Sequence, residues 1–142
     1  MQTQTVHYEG PTFEELRAMY KEGHLDRFKD DLKEFIVANK KEILEYNKIE
    51  QKMFRKEVSL DITVRHFLFD QRSTNPLRDI KDQIEEILKY KWIEREHGSN
   101  KSDPEIEKEW TEKYAPIFRE WRFKSVLYLY VQEKESYLDL LK

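Results

Sequence analysis

The stretch from residue 75 to residue 124 constrains the fold of this chain more than any other. It has the pattern of two amphipathic helices joined by a polar turn at Gly98, and it contains all three tryptophans. In the first helix, 76–97, apolar residues recur three and four positions apart, which aligns them in one stripe. The stripe consists of Leu77, Ile80, Ile84, Ile87 and Leu88, and the opposite face carries Asp79, Asp82, Glu85 and Glu86. The spacing therefore predicts a helix with one apolar face and one acidic face.

The second helix of this pair, 104–122, has a clear start and a predicted interruption. Ser102 and Glu105 have the spacing of a capping box, in which each side chain accepts a hydrogen bond from the other residue's backbone N–H. Trp110 and Trp121 follow on one apolar stripe and are candidates for the core. Pro116 lacks an N–H and crowds the carbonyl four residues earlier, so we expect a kink or break near Ala115.

Two other segments allow alternatives. Residues 25–56 have an apolar stripe that blurs near Asn39, so they form either one long helix or two shorter ones. Residues 58–69 alternate apolar and polar side chains as a strand does, yet they also match helical spacing. A lone strand needs a partner, and the other candidate partner segment is itself helical in pattern, so we favour a helix here.

These patterns predict an all-α, bundle-like fold with five or six helices in a single domain spanning residues 1–142. The alternative is an α+β fold with a strand near 58–69. Residues 1–10 are predicted to be a flexible N-terminal arm, because chain ends that carry little apolar surface are seldom held in place.

Composition narrows the classes of function. The chain has no cysteine, which excludes disulfides, thiolate metal sites and a cysteine nucleophile. Its 142 residues include 26 basic and 29 acidic side chains, a formal net charge of −3, so no strong basic field marks it as a nucleic-acid binder. No apolar run is long enough to cross a bilayer. We expect a cytoplasmic protein without a membrane partner.

Motifs of common enzymes are missing from the sequence. The three glycines lie too far apart to build a phosphate-binding loop, and neither a Gly-x-Ser-x-Gly elbow nor a His-Glu-x-x-His motif is present. We therefore expect neither catalysis nor a cofactor.

One fragment has metal-like spacing. Glu94 and His97 are three residues apart, which places a carboxylate and an imidazole on one helical face, and His66 lies in a separate apolar run. Di-iron helical bundles use two Glu-x-x-His motifs and two further glutamates, whereas this chain has one such motif. The simpler interpretations are that His97 interacts favourably with the helix dipole in the last turn, and that His66 is a hydrogen-bonded core or boundary histidine.

A basic and aromatic group of residues is the candidate interaction surface. Its members come from both helices of the pair: Lys91, Trp92, Arg95, Arg119, Trp121 and Arg122. Aromatic and arginine side chains anchor protein interfaces, and the same residue types can stack on bases and neutralise phosphates. We expect a non-enzymatic helical protein that acts through protein contacts, as a homo-oligomer or an adaptor. The alternatives are a nucleic-acid-associated protein and a metal-binding helical bundle.

Overall fold

The computed structural model describes residues 12–142, and this part of the chain is helical with no strand. The helices are α1 (Phe13–Lys21), α2 (Lys29–Ala38), α3 (Lys40–Phe54), α4 (Leu60–Gln71), α5 (Pro76–Glu96), α6 (Asp103–Lys113), α7 (Ala115–Gln132) and α8 (Lys134–Leu138), with short 3₁₀ helices at Asp26–Phe28 and Asp139–Leu141. The predicted all-α class is confirmed. The predicted count of five or six helices was wrong, because the described residues form eight α-helices. The predicted arm, 1–10, lies outside the described residues.

Local breaks explain the higher helix count. Asn39 lies between α2 and α3 with φ −105° and ψ 14°, outside helical geometry, and its side-chain amide donates to the carbonyl of Phe35. The segment 25–56 is therefore divided at Asn39, which settles the alternative that the sequence left open. Pro116 interrupts the second predicted helix as expected, since α6 ends at Lys113 and α7 begins at Ala115.

Residues 58–69 adopt the helical alternative. Ser59 has extended backbone angles and its hydroxyl accepts from the N–H of Ile62 at 3.2 Å, which caps the start of α4. Val64, Phe67 and Leu68 are buried at helical spacing. The predicted α+β alternative, with a strand near 58–69, was wrong.

The helices belong to two compact units. The first unit comprises Pro76–Lys124, and the second comprises Phe13–Asn75 together with Ser125–Lys142. The boundary falls inside α7, which contributes its N-terminal part to the first unit and its C-terminal part to the second.

The first unit has an aromatic core. Tyr90 of α5, Ile106 and Trp110 of α6, and Ala115 and Phe118 of α7 form one buried cluster. Ile87, Tyr114 and Trp121 are partly buried against this cluster, and the rings of Phe118 and Trp121 are stacked with centroids 6.2 Å apart. The predicted capping box is present at the start of α6: Ser102 Oγ accepts from the Glu105 N–H, and a Glu105 carboxylate oxygen accepts from the Ser102 N–H.

The second unit has its own apolar core and a partly buried polar network. Its fully buried side chains include Leu25, Phe28, Leu32, Ile36, Ile43, Val64, Leu129 and Tyr130. Within the network, Asp61 accepts hydrogen bonds from the Tyr130 hydroxyl at 2.9 Å and from Arg65 Nε at 3.0 Å. Burial alone would raise the pKa of Asp61, but the hydrogen bonds from Arg65 and Tyr130 outweigh burial and hold it below its usual value.

Among the helices formed by residues 12–142, none has an apolar stretch long enough to cross a bilayer.

Candidate interaction surface

Helix α5 turns two residues of its predicted acidic face, Asp79 and Asp82, towards the interior of the first unit. Asp82 is 9% exposed and Arg122, on α7, is 6% exposed, although both are charged. Arg122 donates from Nε to a carboxylate oxygen of Asp79 at 2.9 Å, from Nη2 to the same oxygen at 2.6 Å, and from Nη1 to Asp82. Buried charges remain in a folded protein when they are paired and hydrogen-bonded, as these three are. This ion-pair cluster joins α5 to α7.

The apolar stripe of α5 consequently points outward. Its exposed members are Leu77, Ile80, Ile84, Leu88 and Trp92, whose exposed fractions run from 51% for Ile84 to 65% for Leu77. We call these five side chains the α5 stripe. From residue 80 onward they are four residues apart, so they form a single ridge, and at the usual helical rise the stripe is about 22 Å long. An amphipathic helix normally buries its apolar face, and α5 does the opposite.

Four charged residues occupy one edge of the α5 stripe. Arg78, Glu85, Lys89 and Glu96 are all exposed. Arg78 is 7 residues before Glu85, 11 before Lys89 and 18 before Glu96, and each of these spacings returns to nearly the same side of a helix. Lys89 also pairs with Glu86 at 2.8 Å on the same helix. The exposed ridge is therefore bordered by charges of alternating sign.

The C-terminal part of α5 is tied to α6 by ion pairs. Lys91 pairs with Glu107, and Arg95 pairs with Asp103 while also donating to the carbonyl of Lys101 at 2.7 Å. These contacts position α5 in the first unit without covering the α5 stripe.

Glu109 of α6 is a second connection between these helices. Its carboxylate accepts from the Tyr90 hydroxyl at 2.9 Å, from Lys101, and from Lys113 at 3.2 Å. These hydrogen bonds lower the pKa of Glu109 to about 2, and the hydrogen bond from Lys101 has the largest effect. Burial, followed by the hydrogen bond to Glu109, raises the pKa of Tyr90. The acid is therefore held in its charged form and the phenol in its neutral form.

The six residues of the sequence-predicted interaction surface have different environments. Trp92 and Arg119 are exposed, and Trp121 is partly buried against the aromatic cluster. Lys91 and Arg95 are engaged by the carboxylates of α6, and Arg122 is buried. Of this group, Trp92 lies on the exposed stripe of α5.

The three candidate ligand residues do not share one helix pair. His66 belongs to α4 in the second unit, where its Nδ1 contacts the buried carboxylate of Glu50. Glu94 and His97 belong to the first unit, where Glu94 is 3.8 Å from Lys101 Nζ and His97 is exposed just beyond α5. In the part of the chain that the structure describes, no group of three or more His, Asp or Glu side chains is placed to hold a metal ion.

Sequence reasoning found the stripe of α5 but could not show which way it faces. The helix carries a second apolar row, Ile87, Tyr90 and Ile93, and this row is buried or half-buried. A helix with two competing apolar rows has no unique inward face by spacing alone. No signal in the sequence resolves the choice, because the contacts of Arg122 with Asp79 and Asp82 join residues that are 43 and 40 positions apart.

Comparison of the chain with protein-family models, with curated proteins and with solved structures found no match.

Proposed function

We propose that this protein is non-enzymatic and acts through protein–protein contacts made by the α5 stripe, as a homo-oligomer or an adaptor. The observation that supports the proposal is the exposure of five large apolar side chains along one ridge, each more than half exposed. Contiguous apolar surface bordered by charged residues is typical of protein interaction sites. An amphipathic helix binds in a groove through residues at i, i+3, i+4 and i+7, and Leu77, Ile80 and Ile84 have the spacing i, i+3 and i+7.

The ion-pair cluster strengthens this interpretation. Asp79, Asp82 and Arg122 fix the orientation of α5 by pairing on its inner face. Rotating the helix to bury the α5 stripe would expose the aromatic contact made by Tyr90 and would separate these charges. The ion pairs thus hold the exposed ridge outward before a partner binds. Because the ridge is already ordered, binding costs less conformational entropy.

The nucleic-acid alternative has less support. Three of the four basic residues in the predicted surface, Lys91, Arg95 and Arg122, pair with carboxylates. Phosphates would have to displace those carboxylates, and the chain as a whole has a net charge of −3.

The test uses a double substitution in the middle of the ridge, Ile84→Glu with Leu88→Glu, and a matched double control, Val37→Glu on α2 with Ile49→Glu on α3. Val37 is 54% exposed and Ile49 is 55% exposed, so the control makes the same kind and number of changes on the surface of the second unit. Size-exclusion chromatography with light scattering measures self-association, and affinity capture with the purified chain as bait measures binding of other proteins. We expect the double variant to keep its helical content and lose the association, while the control retains it. Associations that survive in the double variant would contradict the proposal.

A further inference from the structure

We propose that the partner of the α5 stripe is a second copy of this chain, docked with the two α5 helices antiparallel about a twofold axis near residue 87. This inference rests on the proposed function and names the occupant of the same surface. It is carried by two independent patterns on α5, one apolar and one charged.

The apolar pattern is symmetric about the middle of the helix. Ile80 and Trp92 are each six residues from position 86, and Ile84 and Leu88 are each two residues from it. In an antiparallel pair, residues at equal distances on either side of the axis lie opposite each other. From residue 80 to residue 92 the ridge of one copy therefore meets the same ridge of the other, whereas Leu77 falls level with Arg95. A contact of this length needs helices that cross at a small angle, as in the packing class with a crossing angle of about 20°.

The charged edge is symmetric about position 87, one residue from the centre of the apolar pattern at position 86. Arg78 and Glu96 are each nine residues from position 87, and Glu85 and Lys89 are each two residues from it. An antiparallel pair consequently places Arg78 opposite the Glu96 of the other copy, and Glu85 opposite its Lys89. Twofold symmetry repeats both contacts, giving four pairs of opposite charge.

The charges also select the direction of pairing. With parallel helices in register, the twofold axis runs along the helices and places the two charged edges on opposite sides of the interface, so neither Arg78 nor Glu85 gains an opposite charge from this edge. Of the two arrangements, the antiparallel one makes the four pairs, and such charge complementarity discriminates between arrangements. Lys81 is also exposed; seven residues before Leu88, it lies on the side of the ridge, not on the charged edge, and falls level with Ile93 of the other copy when the axis is at residue 87.

Because the sequence contains no cysteine, an introduced cysteine is the only thiol that a cross-linker can modify. Two single variants, Arg78→Cys and Glu96→Cys, leave the apolar ridge intact and remove only exposed charges, whose pairs are individually weak. Each variant alone, and an equal mixture of the two, is treated with a short bismaleimide and examined by denaturing electrophoresis. In an antiparallel dimer of either single variant, the two introduced thiols are about 27 Å apart along the helices, so cross-linking is expected only in the mixture.

The other outcomes overturn the inference in distinguishable ways. Efficient cross-linking in each single variant by itself would show parallel pairing. No cross-linking at all, with a monomeric mass by light scattering at high concentration, would remove the second copy as the partner. In that case the proposed function is tested separately by affinity capture, which asks whether proteins bound by the unmodified chain are lost from the Ile84→Glu, Leu88→Glu variant.

Charge reversal supplies a second readout. Arg78→Glu alone or Glu96→Arg alone creates two symmetry-related like-charge contacts, and we expect each to weaken dimerisation by about tenfold at low salt. The variant with both reversals restores opposite charges between copies and should dimerise as the unmodified chain does. Failure of the double reversal to recover affinity would contradict the antiparallel register.

Discussion

Arg122 of α7 and Asp82 of α5 form a buried ion pair, with their side chains 7% and 12% exposed. The pair fixes which side of α5 faces the interior of the first unit, and Asp79 joins it through the Nε and Nη2 groups of the same arginine. The consequence is an outward apolar ridge, so these ion pairs, together with the buried Tyr90 of the aromatic cluster, determine the orientation of the surface that we propose to be functional.

Removal of Arg122 should destabilise the first unit strongly. We expect Arg122→Ala to lower the free energy of unfolding by about 3–5 kcal/mol, because Asp79 and Asp82 would lose the guanidinium that pairs with both of them. Arg122→Lys should recover only part of this loss, since an ammonium cannot reproduce the fork of donors. Urea denaturation followed by circular dichroism measures both. Arg119→Ala, an exposed change on the same helix, is the control and should cost less than about 0.5 kcal/mol.

Glu109 should make the first unit sensitive to acid. Its pKa is lowered from 4.5 to about 2 in the folded state, so its contribution to stability is complete above pH 4.5. That contribution is lost as the pH falls from about 4.5 to about 2, because the carboxylate must then take up a proton and release Lys101 and Tyr90. We expect Glu109→Gln to lower the free energy of unfolding at pH 7. We also expect the free energy of unfolding of this variant to change less between about pH 4.5 and about pH 2 than that of the unmodified chain.

The acid effect is checked by urea denaturation at several pH values. Glu112→Gln is the matched control, since Glu112 is an exposed neighbour on α6 that lies 3.9 Å from Lys108. A pH dependence in Glu109→Gln equal to that of the unmodified chain would contradict the assignment.

Tyr130→Phe should destabilise the second unit. The hydroxyl donates to Asp61 at 2.9 Å, and the ring is fully buried, so the change removes a hydrogen bond from a carboxylate that is itself largely buried. We expect a loss of about 1–3 kcal/mol in thermal or urea denaturation. Tyr46→Phe removes a comparable but exposed contact with Asp70 and should cost less. If both variants lose the same free energy of unfolding, the contribution of the Tyr130 hydroxyl does not depend on its burial.

Gly98→Ala should weaken the turn that follows α5 through the backbone alone. Gly98 has φ +75°, and a Cβ placed there would meet no atom within 4 Å, so the penalty comes from the left-handed conformation. We expect a loss of about 1–2 kcal/mol in urea denaturation. Gly98→Asn should be milder because asparagine tolerates this region better. If Gly98→Asn lowers the free energy of unfolding as much as Gly98→Ala does, the left-handed backbone conformation is not the cause of the loss.

Several local features were predictable because they depend on neighbouring residues. The capping box of Ser102 and Glu105, the break at Pro116 and the left-handed Gly98 all follow from backbone hydrogen bonding and sterics within a few positions. The core position of Trp110 also follows from helical spacing, and the structure places it 1% exposed. The number of helices did not follow, because the spacing of residues 25–56 is compatible with both one helix and two. In the structure the backbone of Asn39 leaves helical geometry, and its side-chain amide donates to the carbonyl of Phe35 at 2.8 Å.

The sequence by itself determined that this chain is helical, that α5 is amphipathic, and that its charges are arranged symmetrically about the helix centre. These properties are fixed by spacing along one helix. Only the tertiary structure decided which face of α5 is buried, because the choice depends on residues far away in sequence, namely Arg122 and the aromatic cluster around Trp110. A helix with two apolar rows can bury either one. The buried arginine, which must have carboxylates opposite it, selects between them.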